Sequence, residues 1–457
     1  MSEFDEIILC SDCNQPETGV KWCRSCNSKR FRQDFSKWTS GNNFVDKFIQ
    51  DAQSKARNHL EVIEWIPYNR LRNIQYLAKG GFSIIYKAVL LDGFINKWDK
   101  ENKQWERYYN EIKDEDYEDA KKGNIESPLN ENEKHGYNIV LKRINNSSNI
   151  NDDFLNELKN YLNFVRSTDN NKLLSIKLHG ITRVPESDYM IVMEHMELGS
   201  LKSNLMVKRC NPIDKYYNLY FIAQSLSKLH NCNLIHGDLH SGNLLLSNNL
   251  IAYISDFGLS KPVDKPTKPN VIYGVLPYIA PEVLRGRPYT KAADIYSFGI
   301  IMWEMTSGIP AFNKMPHDLD LALKICQGLR PELVEVPKIF DAKNVQKKYE
   351  DTEAEYIELM KKCWDSNPDK RPKAEKLYEN FRKWFGIIPN TSIPENETFI
   401  ENHPSSCYTS RKIDYAEKLN EILDQEENLD TRSTNIELVK KSILRKCLAI
   451  EGNHSSR

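Results

Sequence analysis

Three oxygen-bearing side chains follow one another in the middle of the chain. In "IHGDLHSGN", which begins at Ile235, Asp238 precedes Asn243 by five positions; Asp256 comes next, in "YISDFGLSK". All three sit on loops bordered by apolar, strand-like runs. Carboxylate and carboxamide oxygens are what a hard cation such as Mg²⁺ takes, commonly one or two from protein, with phosphate and water completing the shell. Taken singly, each of the three reads equally well as a turn or cap residue. Their order along the chain is what points to chemistry on a metal-bound phosphate.

A cation and a further carboxylate lie upstream. Lys142 is near the end of the strand-like "YNIVLKRI", where burial without an anionic partner would be costly; exposure on an edge is the alternative. The following "NDDFLNELKNYLNFV" reads as a helix with Asn151 as cap and Asp152 and Asp153 in its first turn. Phe154, Leu158, Tyr161 and Val165 make its apolar face. Glu157 lies on that face and either pairs with Lys142 or borders the face in solvent. Earlier still, "LAKGGFSIIYKAVL" from Leu77 reads as a hairpin around Gly80-Gly81. Its turn is either a plain Gly-Gly turn or a backbone cradle for an anion.

The elements that must position these groups are legible in outline. Apolar runs alternate with turn signals from about Leu71 to Phe385. A charged stretch, about 97–137, interrupts two strand-like runs and reads as a surface insertion. "YMIVMEHMELGSL" is a strand ending at Glu194-His195-Met196, and Ile222, Leu226 and Leu229 mark an amphipathic helix. Phe44, Val45, Phe48, Ile49, Ala52 and Ala56 recur at helical spacing before this stretch. A polar tail follows it, with helical patterns at Tyr415/Leu419/Ile422/Leu423 and Ile436/Val439/Ile443/Leu444. The chain has 457 residues, enough for more than one domain. A formal net charge of -1 gives no whole-chain attraction for nucleic acid or an anionic membrane. No secretory signal and no apolar run of about 18 residues is found, so a cytoplasmic protein is expected.

In their order, these stretches resemble the eukaryotic protein kinases, across about two-thirds of the chain. "GGFSIIYKA" is similar to the glycine-rich loop, "HGDLHSGN" to the catalytic loop, "DFG" at Asp256 to the metal-binding turn, and "APE" at Ala280 to the end of the activation segment. "DIYSFGIIMWEM" from Asp294 and "RP" at Arg371 match further family positions. The resemblance implies a bilobal α+β fold and ATP with Mg²⁺ as cofactors. It implies that Lys142, held by Glu157, fixes the nucleotide phosphates, that Asn243 and Asp256 hold Mg²⁺, and that Asp238 receives the substrate hydroxyl proton. Leu77, Gly80, Gly81 and Phe82 would cover the nucleotide. Ile85, Val140 and Leu245 would sandwich the adenine, with Met193 as gatekeeper and the Glu194 and Met196 backbone as hinge. Asp294 would brace the catalytic loop, and Arg371 would pair with Glu282.

Four departures stand out. Only the middle glycine of the G-x-G-x-x-G pattern remains, as Ala78-x-Gly80-x-x-Ser83. Gly237 replaces the arginine that commonly precedes the catalytic Asp. Activity is therefore expected not to require phosphorylation of Ser260, Thr267 or Tyr273. His240 stands two after Asp238, and "HSGN" resembles the tyrosine-kinase-like branch; Val275 stands where Ser/Thr kinases often place a threonine, which leaves the acceptor open between Ser/Thr and Tyr. The implied partner is a protein substrate. A nucleotide-binding pseudokinase scaffold is the competing expectation.

Ten cysteines are present, and four are clustered, Cys10-x-x-Cys13 and Cys23-x-x-Cys26. Two such pairs signal a zinc-ribbon-like knuckle closed by four thiolates, with a redox-active CxxC as the alternative. Lys21, Arg24, Lys29, Arg30 and Arg32, with Trp22 and Phe31, form either a solvated face or a nucleic-acid contact; nucleic acid is not the expected partner. Together with "EWIPYNRL", the knuckle ahead of a kinase resembles an expanded family of glomeromycete fungal kinases. The expected organisation is a knuckle over 1–30, a helical linker over 31–70, a kinase domain over 71–385 (small lobe 71–193, large lobe 194–385), and a polar tail of low order over 386–457.

Overall fold

Helix α1 (Arg24–Asp34) starts directly after Cys23. Helix α2 (Asn43–Lys55) is capped by Asn42, whose side chain accepts from the Phe44 and Val45 amides. Val45, Ile49 and Ala52 turn inward as their spacing predicts, whereas Phe44 is exposed. The computed structural model describes residues 8–81, 83–144, 152–167, 174–185, 187–205, 212–263, 272–334, 340–386 and 401–430. The linker expected to be helical ends in a strand, β1 (Glu64–Trp65), which pairs in parallel with Gly180 and Ile181.

A hairpin of β2 (Leu71–Lys79) and β3 (Ser83–Leu90) turns at Gly80-Gly81. The charged insertion follows and has structure of its own. It holds a second hairpin, β4 (Phe94–Asp99) with β5 (Gln104–Tyr108), then β6 (Asn110–Glu111) and helix α3 (Asp114–Ala120). Its Trp105 stacks on Phe31 with centroids 4.4 Å apart, and on Trp22 at 5.7 Å. Strand β7 (His135–Ile144), helix α4 (Asp152–Ser167), β8 (Leu178–Arg183) and β9 (Tyr189–Glu194) complete the small lobe. Its seven-stranded sheet runs β1-β8-β9-β7-β3-β2, with β6 beside β7. Leu158, Tyr161 and Val165 of α4 are buried as predicted. Asn151 lies outside the described residues, as do the side chains of Asp152, Asp153 and Phe154.

Trp22 and Phe31 are thus core residues, and Trp22 Nε1 donates to the Ala56 carbonyl at 3.1 Å. Arg30 pairs with Asp12 and stacks on Trp98. The Trp22 and Phe31 rings are packed away from solvent. The amino-terminal segment is tied to α4 through Glu61, which is fully buried and accepts from Arg57 Nε at 2.6 Å, with Arg166 Nε at 3.8 Å.

Lys177, just before β8, is buried with its ammonium 3.6 Å from the Phe94 ring centroid. Burial pulls its pKa down to about 8, against the attraction of Glu194 and Glu64. The unfolded chain therefore binds this proton more tightly, and stability rises with pH between about 8 and the ordinary 10.5. Below that window the full penalty is present. Lys177→Met is expected to stabilise the protein at pH 7 by roughly 2–3 kcal/mol. Melts of variant and parent at several pH values check this: the gap between their midpoints narrows toward pH 10.5. A gap independent of pH would refute it.

The large lobe is mainly helical. Helix α5 (Pro212–Asn231) buries Ile222, Leu226 and Leu229 fully. Four short strands follow: β10 (Leu234–Ile235), β11 (Leu244–Leu246), β12 (Ala252–Ile254) and β13 (Lys261–Pro262), paired β10 to β13 and β11 to β12. After β14 (Ile272–Gly274) come α6 (Pro281–Leu284), α7 (Lys291–Ser307), α8 (Leu319–Cys326), α9 (Lys343–Cys363) and α10 (Ala374–Phe385). Thr290 caps α7, and Gly308 ends it in the left-handed conformation. The tail, expected to be of low order, is structured over 401–430. It carries β15 (Arg411–Ile413), paired with β14, and α11 (Ala416–Asp430), where Leu419, Ile422 and Leu423 are buried as their period predicts. The pattern at Ile436 to Leu444 lies outside the described residues.

Candidate active site

Strand β7 and helix α4 bring Lys142 and Glu157 together. Lys142 Nζ donates to Glu157 Oε1 at 2.7 Å and to Asp256 Oδ1 at 2.8 Å. Burial alone would pull the Lys142 ammonium down, but Asp256 and Glu157 outweigh it and hold it above the ordinary lysine range. Burial pushes Glu157 up against the pull of Lys142, while Lys142 overcomes burial at Asp256 and keeps that carboxyl low. The Lys142 and Glu157 side chains are closed off, but that of Asp256 is 38% exposed. Both Lys142 and the Gly258 amide donate to Asp256 through the same oxygen, Oδ1.

Asp256 is held in the left-handed region at φ +59°. The next side chain fixes that turn. Phe257 is buried with its ring centroid 6.1 Å from Tyr161 and 5.6 Å from Phe164, both on α4, and 6.0 Å from His236. Helix α4 thus carries Glu157 and also seats the residue that orients Asp256.

The catalytic-loop residues are placed from below. Asp294, near the start of α7, accepts from the His236 amide at 2.8 Å and the Gly237 amide at 3.0 Å, with His230 Nε2 at 2.9 Å. Burial works against the Asp294 carboxylate, yet His230 holds it below the usual range. Gly237 adopts φ +77°, and a Cβ there would lie 3.0 Å from the Leu259 carbonyl oxygen, so the backbone favours glycine. Asn243 Nδ2 donates to the Asp238 carbonyl at 3.0 Å and lies 3.4 Å from Asp238 Oδ2. The β11–β12 pairing places Ser255 against Asn243, and the Ser255 amide and hydroxyl both donate to the Asn243 carbonyl, at 2.9 and 2.8 Å. The residue just before Asp256 is therefore tied to Asn243. One carboxylate and one carboxamide oxygen suit Mg²⁺.

The other predicted residues distribute as follows. Val140 and Leu245 are half-buried against the main core, and Met193 is buried opposite Val140 in the β7–β9 pairing. Ile85, half-buried, pairs with Lys142 across β3 and β7. The Glu194 side chain turns away to Tyr137 and to His179, 2.9 Å off, and the Met196 carbonyl accepts from the Gly199 amide. Leu77 is exposed, Gly80 and Gly81 form the turn, and Phe82 lies outside the described residues. Arg371 forks Glu282 with two bonds of 2.7 Å. Ser260 is a correction: it is buried with its hydroxyl on the His236 carbonyl, so it is no accessible phosphorylation site. Thr267 lies outside the described residues.

Sequence reasoning missed a buried chain beneath the loop. Glu304 Oε1 accepts from Tyr278 at 2.6 Å, and Tyr278 meets Ser241 at 2.9 Å. Burial pushes the Glu304 carboxyl up, against those hydrogen bonds. An isolated glutamate inside the apolar α7 was the available signal. Ser410 was missed as well; its hydroxyl lies on Asp238, and nothing in its local sequence marks it.

The four clustered cysteines converge, with all Sγ atoms within 4.8 Å of one another. Cys13 and Cys23 are 3.5 Å apart, Cys10 and Cys26 3.9 Å. A tetrahedron built on Zn–S bonds of about 2.3 Å has edges of about 3.8 Å, so the set fits a tetrahedral ion.

Residues 109–381 match the family model for protein tyrosine and serine/threonine kinases. The chain belongs to this protein kinase family. It is 29% identical over 233 residues to serine/threonine/tyrosine-protein kinase HT1 of Arabidopsis thaliana, covering 49% of this chain and 56% of that protein. It is 28% identical over 251 residues to receptor-interacting serine/threonine-protein kinase 1 of Homo sapiens, covering 50% and 35%. A probable LIM domain-containing serine/threonine-protein kinase of Dictyostelium discoideum is 27% identical over 210 residues, covering 45% and 30%. The chain thus spans roughly a third to a half of these relatives. Among the described residues, no helix is long and apolar enough to cross a membrane.

Proposed function

We propose that this chain is an active, ATP-dependent protein kinase that phosphorylates serine or threonine in protein substrates, with tyrosine as a second acceptor class. One observation carries the reading: the buried Lys142 ammonium bonds Glu157 and Asp256 together, at 2.7 and 2.8 Å. That arrangement links the small-lobe sheet, α4 and the loop next to Asn243 into one nucleotide-phosphate site. Lys142 neutralises the nucleotide phosphates. Asn243 and Asp256 would hold Mg²⁺, which supplies charge neutralisation on those phosphates when bound. Gly80 and Gly81 close over them, beside Leu77. Ile85, Val140 and Leu245 sandwich the adenine below Met193, and the Glu194–Met196 backbone hydrogen-bonds its edge. Asp238 orients the acceptor hydroxyl and takes its proton.

His240 supports the tyrosine-kinase-like branch, and the amino-terminal arrangement supports kinship with the glomeromycete fungal kinases. The spacing of Cys10, Cys13, Cys23 and Cys26 supports one structural Zn²⁺. Beside those four, Cys232, Cys326, Cys363 and Cys407 are free thiols, which fits a cytoplasmic location. A peptide-array assay with Mg-ATP tests the whole reading. Label on serine- and threonine-containing peptides is the expected result. Nucleotide binding with no label on peptide or on the chain itself would instead establish a pseudokinase.

A further inference from the structure

The groove in front of Asp238 is filled by the chain's own tail. Strand β15 runs antiparallel to β14, with Ile413 opposite Ile272, Lys412 opposite Tyr273 and Arg411 opposite Gly274. The pairing delivers Ser410 to the catalytic loop. Ser410 Oγ donates to Asp238 Oδ2 at 2.5 Å and lies 3.3 Å from His240 Nε2. On the other side the glycine turn closes over the same residue. A Cβ on Gly81 would lie 1.8 Å from the Ser410 carbonyl oxygen, an approach that only glycine permits.

The segment is anchored on both flanks. Upstream, Tyr408 donates to the Ala311 carbonyl at 2.8 Å, and its ring is 4.7 Å from His317. Downstream, Ile413 is 1% exposed, and Asn420 of α11 exchanges hydrogen bonds with Arg285 at 3.0 and 3.1 Å. Backbone pairing supplies hold, and a buried side chain fixes register. A serine hydroxyl donated to the carboxylate that receives the acceptor proton is in the position of a nucleophile, not of an inert plug.

We propose that Ser410 is a phosphorylation site for the chain's own active site, and that residues 401–430 occupy the protein-substrate groove until it is modified. The proposal rests on the kinase reading above. In the transfer, Ser410 Oγ forms a bond to the γ-phosphorus of ATP. The bond from that phosphorus to the β,γ-bridging oxygen breaks, its electron pair leaves with ADP, and the hydroxyl proton passes to Asp238. The product phosphoserine carries about −1.5 to −2 charges at pH 7. It then faces the Asp238 carboxylate, and like-charge repulsion favours release of β15 from β14. The groove so opened takes other acceptors.

The test uses the full chain, first treated with phosphatase and then given Mg-ATP, with casein as external acceptor. Phosphopeptide mass spectrometry is expected to find phosphate on Ser410, at a first-order rate unchanged by dilution of the enzyme. Casein labelling is expected to lag and to lose its lag after preincubation with Mg-ATP. Ser410→Ala keeps the groove filled and abolishes that acceleration. Ile413→Asp expels the strand and raises the initial casein rate at least about tenfold. The dilution series needs no variant, so the outcome does not depend on a substituted chain folding. Casein labelling without phosphate on Ser410, or a Ser410 rate proportional to enzyme concentration, would overturn the proposal and leave the kinase reading standing. Absence of label on every acceptor would overturn both.

Discussion

Asp238→Asn is expected to lower phosphotransfer turnover by about 10²- to 10⁴-fold while nucleotide binding persists. The size of the effect follows from what asparagine keeps and what it loses. The loop is braced by backbone amides on Asp294, and Asn243 reaches the Asp238 main-chain carbonyl, so neither contact needs the carboxylate. The isosteric amide therefore leaves the loop in place. It cannot receive the acceptor proton, and its NH₂ presents a donor where the hydroxyl also donates. Lys142, Glu157 and Asp256, proposed to hold the nucleotide, are joined through separate bonds. The check is a pair of measurements on one preparation, kcat with a labelled peptide and Kd for nucleotide by fluorescence. Turnover within tenfold of the parent would show that Asp238 only positions the acceptor. Phosphate on Ser410 is expected to fall in parallel, because the same carboxylate accepts that hydroxyl.

What the sequence made legible was chemistry carried by short spacing. Glu157 is recognisable because helical period puts it on the buried face of α4, where a carboxylate needs a cation. Asp238 and Asn243 share one loop, so five positions of sequence translate directly into a 3.0 Å contact. Asp294 and Arg371 were legible through family order, and their geometry matches that expectation. The contacts left unread join segments remote in sequence. Ser410 meets Asp238 across 172 positions, and the serine is flanked by polar residues whose pattern says loop. Trp105 sits inside a charged insertion, and only its stacking on Phe31 shows that the insertion is the outer wall of the amino-terminal core. The order of the tail was missed for the same reason. The helical period at Leu419 was visible, but its length gave no sign that Ile413 and Asn420 had a large-lobe surface to meet.

On the proposal that the four cysteines hold zinc, chelation is expected to unfold the amino-terminal segment while the large lobe stays folded. The four thiols enclose a site whose Sγ spacing suits a single tetrahedral ion, and structural zinc of this kind contributes an apparent binding energy of about 10–16 kcal/mol at pH 7. Little else is available to replace it. The local core is small: Trp22, Phe31, Ala56, Val62 and Ile95, with Phe35 and Trp105 packed on it. Cys23 and Cys26 also sit where α1 begins, so losing the ion releases that helix at its start. Trp22 would then leave Trp105, and the tryptophan emission would shift to the red on adding a chelator. Native mass spectrometry is expected to find one zinc ion per chain, lost in Cys13→Ser. The loss should travel further. Glu61 is buried between Arg57 and Arg166, and Arg166 is on the helix that carries Glu157. Loosening that junction frees the far end of α4 and weakens the hold of Glu157 on Lys142. The KM for ATP is expected to rise more than kcat falls, because Asp238 and its Asp294 brace belong to the large lobe. A chelated chain with unchanged tryptophan emission and unchanged ATP KM would show that the cysteines hold the segment as thiols, with no ion required.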